Sequence, residues 1–354
     1  MLFKWFRYIR NKSKYYKLFI LAIKRGEIYK SINLVGIIVA YFFKLKKVPF
    51  LPATIDIEPN NNCNLRCEHC QVSHWTKDIR YLDIKSYRYI LNQFPYLLSA
   101  KLQGMGEPFL NRQLPFMLKE GEERGISMLV FTNGTIYDEH LAKKLIQLKN
   151  THICFSIDGA TPEIHEKIRK GSNFEKILRN IGDLANHRGL NIYPRLSIWS
   201  VITKNNIHEA TQIVKLSKLL SVDSIYLQTT LVNWGKNNID RYNKTIRIDL
   251  KSKEFDYIWL EAKNAAEKEK IILEIMSTGF SRKNKCYWPW TSAYIAANGD
   301  VIPCCNIADS HTLKMGNLFE TSFSDIWNSR EYMVLRERIR THNIPEFCKS
   351  CYFE

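Results

Sequence analysis

The sequence predicts an α/β chain: a partial barrel of about six parallel β/α units, with a basic amphipathic helical arm before it and a small α+β module after it. Three observations predict it. From Thr54 to Leu227 short apolar runs alternate with amphipathic stretches, at the spacing of strands and crossover helices in parallel units. Basic residues crowd ahead of that region: residues 1–48 hold twelve Lys/Arg against one acid, Glu27, so +11 of the total +17 belongs there. The nine cysteines fall in groups at 63/67/70, 304/305 and 348/351, with Cys154 and Cys286 apart. Such C-x2-C groupings suit metal binding in a reducing compartment better than a disulfide scaffold.

Residues 1–50 read as the helical arm. Leu2, Phe3, Trp5, Phe6, Tyr8 and Ile9, then Tyr15, Tyr16, Leu18, Phe19 and Ile20, are interleaved with Lys and Arg, and a second apolar run covers 34–43. That run is short of the roughly 20 residues that span a bilayer, and it lacks the small-residue cleavage site of a signal peptide. The expectation is cytoplasmic location, with residues 1–48 lying peripherally on an anionic membrane surface at its inner face. The alternative is a helical pair packed on the body with a solvated basic face. The rest of the chain carries only +6, so a nucleic-acid partner is not expected.

Residues 51–235 form the expected barrel. A strand containing Ile55 and Ile57 ends before Pro59, and further strands are expected at 100–103, 128–132, 153–157, 192–200 and 224–227. Helices fit near 84–94, 113–124, 138–148, 174–187 and 207–219. Parallel strands place a site at their carboxyl ends. The loop Cys63-Asn64-Leu65-Arg66-Cys67-Glu68-His69-Cys70 follows the first strand and so falls on that side. Its three thiolates can hold one face of a four-iron cube and leave one iron open to a ligand; a zinc site is the other reading. Residues 236–285 read as a polar, helical connection, with a charged helix around 252–270. Residues 286–354 read as the last module, with a turn at Asn298-Gly299-Asp300, helices over 323–328 and 330–340, and Cys348-Lys349-Ser350-Cys351.

The C-x3-C-x2-C loop behind a first strand on a β/α frame resembles the radical S-adenosylmethionine (SAM) enzymes, and the frame is then their TIM-like partial (β/α)6 barrel. Gly104-Met105-Gly106-Glu107-Pro108 resembles the family's Gly-Gly-Glu-Pro segment, with Met105 as a departure. Thr132-Asn133-Gly134 and Ser156-Ile157-Asp158-Gly159 resemble its strand ends. The resemblance implies a [4Fe-4S] cluster on Cys63, Cys67 and Cys70. It implies SAM contacts from Gly104, Gly106 and Glu107 (the methionyl amino group), Asn133, Ser156 (the ribose), Arg169 (the carboxylate) and His69, which stands where the family often has an aromatic residue. Glycines permit close ligand approach and a carboxylate can face an ammonium. Cys286-x12-Gly299-x4-Cys304, then Cys348-x2-Cys351, with Trp288-Pro289-Trp290, Phe323-Ser324-Asp325-Ile326-Trp327 and Arg336, is similar to the shortened SPASM or twitch module. That implies a second, auxiliary [4Fe-4S] cluster on Cys286, Cys304, Cys348 and Cys351. Cys305 is read as a buried neighbour or an extra ligand, and Cys154 as core.

The resemblance further implies reductive cleavage of SAM to a 5'-deoxyadenosyl radical, hydrogen abstraction from a C–H bond, and a reducing electron donor such as flavodoxin or ferredoxin. The first expectation for the substrate is a sugar, polyol or lipid-linked metabolite, oxidised with the auxiliary cluster as electron acceptor. This follows from the membrane reading of an arm that does not resemble a peptide-leader domain. A maturase acting on a ribosomally made peptide or protein is the alternative. A non-enzymatic iron–sulfur carrier, or a zinc-stapled membrane-attached binding protein, is a third reading. Arg195 and Gln228, polar groups in apolar strands, are the candidate substrate-facing catalytic residues.

Overall fold

The computed structural model describes residues 14–74, 78–276 and 286–351. The apolar run over 2–9, residues 277–285 of the connection and the last three positions lie outside the described residues.

Its strands are β1 (Thr54–Ile57), β2 (Arg66–Cys67), β3 (Ser99–Leu102), β4 (Ser127–Thr132), β5 (Thr151–Ser156), β6 (Arg169–Lys170), β7 (Arg195–Val201), β8 (Ser224–Gln228), β9 (Ile272–Met276), β10 (Ser292–Ile295), β11 (Asp300–Ile302) and β12 (Gly316–Asn317). One ten-stranded sheet runs β12-β11-β10-β1-β3-β4-β5-β7-β8-β9, and β2 with β6 makes a separate ribbon. Every pair from β10 through β9 is parallel, whereas β11 and β12 are antiparallel additions. Among the described residues β9 does not close onto β12, so the sheet is open. The expected six units are extended at both ends. The connection supplies β9 as well as its helices, and the C-terminal module supplies β10 beside β1.

Crossover helices lie close to their expected positions, at Ile84–Asn92, Leu114–Glu123, Glu139–Leu145, Phe174–Arg188 and Ala210–Leu219. Short polar side chains start several of them. Asp83 accepts from the Lys85 and Ser86 amides, Asp138 from Leu141 and Asn173 from Lys176, filling orphan first-turn donors. Alternation sorts each strand. Ile55, Ile57, Ala100, Leu102, Val130, Ile153, Phe155, Leu196, Ile198, Ile225 and Leu227 join the buried core beneath the helices. The side chains between them, Asp56, Lys101, Phe131, Cys154, Ser156, Trp199 and Tyr226, line the opposite, inner face.

The arm is helical at Lys14–Lys24 and Ile28–Phe42. Leu18, Ala22, Leu34 and Ile37 pack on Ala53 and Leu98, the residues just ahead of β1 and β3, so the arm sits under the amino ends of the strands. A Cβ on Gly36 would lie 2.4 Å from the Phe50 ring, which makes glycine a condition of this packing. The C-terminal module clasps the chain that leaves the arm. Trp290 Nε1 donates to Leu45 O at 2.8 Å, Trp327 Nε1 to Phe50 O at 2.9 Å, and Arg336 to Pro289 O at 2.8 Å and Lys46 O at 3.2 Å. Arg336 is fully buried between the Trp327 and Tyr332 rings, 4.4 and 5.1 Å from their centroids. No helix among the described residues is long and apolar enough to cross a membrane.

Candidate functional site

The cysteine loop leaves the carboxyl end of β1, turns, and is pinned by the β2–β6 ribbon, in which Cys67 opposes Arg169. Arg169 Nη1 lies 3.9 Å from Cys67 Sγ, and its Nε lies 2.7 Å from Asp158 Oδ2. Asp158 Oδ1 accepts from the Val201 amide at 2.7 Å. His69 Nε2 is 3.9 Å from the same Asp158 carboxylate. Burial pushes the His69 imidazole down and so keeps it neutral, although Asp158 opposes this. One buried carboxylate thereby joins the ends of β5 and β7 to the loop.

Cys63, Cys67 and Cys70 are free thiols within electrostatic reach of one another. Burial pushes Cys63 up to about 11 and Cys70 up to about 12. Binding a metal here must therefore expel protons, and the Arg169 cation is the nearest compensating charge. Among the described residues no three His, Cys, Asp or Glu side chains converge as ligands of one ion do; a cube of several irons instead needs its thiolates spread around it. The soft donor set and its hydrogen bonds fit such a cluster. Leu65 N donates to Cys63 Sγ at 3.4 Å, and Asn133 Nδ2 lies 4.0 Å from that sulfur and 3.0 Å from Asn64 Oδ1.

Around this loop the sequence candidates separate. Asn133, just past the carboxyl end of β4, faces it, and Ser156 is the last residue of β5. The Glu107 carboxylate is buried and committed: Oε1 accepts from Thr132 Oγ1 at 2.7 Å and from Phe109 N at 3.1 Å, and Oε2 from Asn133 N at 2.7 Å. It straps β3 to β4. Gly104 and Gly106 are also explained by protein packing. A Cβ at Gly104 would lie 2.4 Å from the Glu58 side chain, and one at Gly106 would lie 2.5 Å from the Asn60 and Asn62 carbonyls. Here the glycines admit the β1 end.

Arg195 does not reach the site. It opens β7, opposite His152 at the start of β5, and leans toward the Tyr193 ring at 5.7 Å. At about 3.3 Å per residue, four residues put it roughly 13 Å below Trp199. A polar group in an apolar strand carried the inner-face signal but not the end of the barrel. Gln228 is at the correct end, where its Oε1 accepts from Trp199 Nε1 at 3.1 Å. The residue it holds is one the sequence reasoning missed. Trp199 stacks on Tyr226 at 5.0 Å and meets Phe131 edge-on at 5.1 Å, forming an aromatic wall on the inner face beside Ser156, which pairs with Trp199. Alternating aromatics in β4, β7 and β8 were its available signal.

Glu58 was also missed. Fully buried, it accepts from Met105 N at 3.0 Å, Tyr294 OH at 3.0 Å and Ala297 N at 3.2 Å. It thus ties β1 to the Gly104–Pro108 loop and to the C-terminal module. Burial raises its carboxyl above the ordinary range despite those donors.

In the C-terminal module Cys286, Cys304, Cys348 and Cys351 are brought together from four chain positions. Burial and the neighbouring thiols all push Cys304 upward. Asn306 donates from its amide to Cys304 Sγ at 3.2 Å and from its side chain to Cys351 Sγ at 3.4 Å. Cys305 lies beside Cys304, on the side facing Tyr294. The two thiol sets border one buried layer of Met105, Tyr294, Ala296, Ile302, Ile307 and Ala308. A cavity of about 300 Å³ opens on that layer, walled by Glu58, Arg80, Met105, Ala296, Asn298 and His311 among others.

A family profile described as the Radical SAM superfamily matches residues 57–216, and the SPASM profile, an iron-sulfur cluster-binding domain, matches residues 286–352. Over 319 residues the chain is 23% identical to the tungsten-containing aldehyde ferredoxin oxidoreductase cofactor-modifying protein of Pyrococcus furiosus, covering 83% of this chain and 86% of that protein. Over 312 residues it is 24% identical to the PqqA peptide cyclase of Xanthomonas oryzae pv. oryzae, covering 85% and 80%. Among solved structures, Streptococcus suis SuiB bound to precursor peptide SuiA shares the fold with a TM-score of 0.67 at 17% identity, over 86% of this chain and 70% of that one.

Proposed function

We propose, for a chain that belongs to the radical SAM superfamily and carries a C-terminal SPASM iron–sulfur domain, that the substrate is a peptide or a peptide-borne group. The sugar, polyol or lipid-linked reading gives way to the alternative. Two relatives aligned over most of the chain are named for a peptide cyclase and a cofactor-modifying protein, and a third for a haem synthase. In the proposed assignment Cys63, Cys67 and Cys70 hold the SAM-binding cluster, and Cys286, Cys304, Cys348 and Cys351 hold the auxiliary one. Asn133, Ser156, His69 and Arg169 border the SAM position. When bound and reduced, these groups supply a 5'-deoxyadenosyl radical that removes hydrogen from a C–H bond.

The protein's part is placement and shielding. Asp158 fixes the Arg169 guanidinium against the loop. The Phe131–Trp199–Tyr226 wall gives an apolar face on which a side chain can seat away from water, and Gln228 sets the tilt of its central ring. The observation that carries the reading is the single buried layer shared by both thiol sets, beside an opening large enough to admit a peptide side chain. Electrons are proposed to come from a donor such as flavodoxin or ferredoxin.

The test is anaerobic reconstitution with iron and sulfide, followed by SAM, dithionite and either short peptides encoded beside the gene or a panel of sugars and polyols. The expected result is release of 5'-deoxyadenosine, with a mass change confined to a peptide. In Trp199→Ala, product formed per 5'-deoxyadenosine should fall about ten-fold while uncoupled release persists, because orientation and not radical generation is lost. A mass change in a sugar or polyol, with none in any peptide, would overturn the substrate class and leave the radical chemistry standing.

A further inference from the structure

The helix Ile28–Phe42 has two apolar faces. Leu34, Ile37 and Ala40 are buried against the body. On the opposite side Ile28, Ile32, Val35, Val39 and Phe42 recur at steps of four and three residues, one continuous stripe, and all are between 43% and 64% exposed. Phe43, 67% exposed, extends the stripe with its ring edge-on to Phe42 at 5.3 Å. A solvated surface helix carries charge on its outward face, and a contiguous apolar strip there marks an interaction surface.

Charge names the occupant. Lys24 and Arg25 are exposed at one end of the stripe, and Lys46 and Lys47 at the other. The sole acid of residues 1–48, Glu27, is paired with Lys30 at 2.9 Å. A second copy would bring another +11 arm against this one, and like charge opposes that contact. At 1.5 Å per residue the 15-residue helix is about 22 Å long, less than the roughly 30 Å hydrocarbon core. It can lie in an interface but not span one.

We propose that this stripe docks the protein on an anionic lipid bilayer, with the helix in the plane of the headgroups and its flanking cations on the lipid phosphates. The position of the arm then fixes the orientation of the enzyme. Arg25 donates to Gly125 O at 2.6 Å just ahead of β4, and the buried side of the arm meets Ala53 and Leu98 just ahead of β1 and β3. The docked face is therefore the amino end of the sheet. The cysteine loop and its cavity open at the other end, toward water, which fits a soluble substrate delivered from solution and not one drawn from the bilayer. The docking itself is independent of the substrate reading.

Flotation of the full-length chain with phosphatidylcholine vesicles, with and without phosphatidylglycerol, tests it without any cluster chemistry. Partitioning should rise about ten-fold or more with phosphatidylglycerol and fall with added salt. Val35→Glu with Val39→Glu should reduce it by about ten-fold or more while the melting temperature holds, since both side chains face out. Lys46→Gln with Lys47→Gln, a change that touches no packed side chain, should abolish most of the phosphatidylglycerol dependence. Equal flotation of both variants and wild type would overturn the proposal. So would a monomer–dimer equilibrium in sedimentation that the glutamates abolish with no vesicle binding, since the stripe would then seat a second copy.

Discussion

Replacing Asp158 by asparagine should separate the role of its charge from that of its shape. The side chain is fully buried, and it is the point where three elements meet. Oδ1 takes the Val201 amide at 2.7 Å, Oδ2 faces Arg169 Nε at 2.7 Å, and the residue's own carbonyl accepts from Asn206 Nδ2 at 2.8 Å. Asparagine keeps the Val201 and Asn206 contacts. It leaves a guanidinium that is only 8% exposed without its counter-charge. Removing one partner of a buried pair costs about 3–5 kcal/mol. With the Val201 hydrogen bond retained we take the lower end, about 3 kcal/mol, which in a chain of 354 residues lowers Tm by roughly 4 °C. The assay is thermal unfolding of the apo chain under anaerobic, reducing conditions across pH.

Its pH dependence has a definite sign. Burial alone raises the Asp158 carboxyl, but the Arg169 cation, helped by the Val201 amide, outweighs it and holds the group below its ordinary 3.8. A depressed carboxyl contributes stability that is complete above its unfolded pKa and lost as pH falls through its folded one. The wild-type and variant melting curves should therefore differ fully at neutral pH and converge only in strong acid. A Tm difference under about 2 °C at pH 7, or one that persists unchanged at the acid limit, would refute the claim that this ion pair holds the cysteine loop.

Three further outcomes follow from the same structure. Cys348→Ala should halve the iron and sulfide bound on reconstitution and leave 5'-deoxyadenosine release measurable, because Cys348 neighbours Cys286 and Cys351 and not the first loop; loss of all iron would show that the two sites fold as one. Gly106→Ala should destabilise by about 2 kcal/mol or more in denaturant titration, since the new methyl meets two backbone carbonyls at 2.5 Å. Gly182→Ala, in a helix with open space at the Cβ, should instead stabilise by roughly 0.5–1 kcal/mol.

The parallel frame was legible because strands such as Ser127–Thr132 carry their own period-2 pattern and the helices that start after Asp83, Asp138 and Asn173 carry their own caps. The missed strands lacked such local signals. β9 is an edge strand whose Ile272 is 62% exposed, so its pattern does not read as half-buried. β10, Ser292–Ile295, is too short to announce itself and owes its place to pairing with β1, from Thr54↔Ser292 to Ile57↔Ile295. Glu58 was hidden for the same reason. In sequence it is an acid at a strand end, and it becomes a buried triple acceptor only when β10 delivers Tyr294 and Ala297. Cysteine spacing survives such distances because thiols are rare and grouped, whereas a carboxylate's role depends on what packs over it.

Arg195 and Trp199 show where reading a strand for function stops short. Both point to the inner face, because they are four residues apart and side chains alternate with period two. Parity therefore selects both. Height along the barrel selects one, and height is set by which end carries the loops. The cysteine run after β1 already fixes that end as the carboxyl one, so every inner-face residue can be ranked by its distance from its own strand's carboxyl terminus. On that ranking Arg195, the first residue of β7, is remote, while Trp199, two residues before its end, and Gln228, the last residue of β8, are near. At that height the Phe131, Trp199 and Tyr226 rings pack together, an apolar surface from which water is excluded.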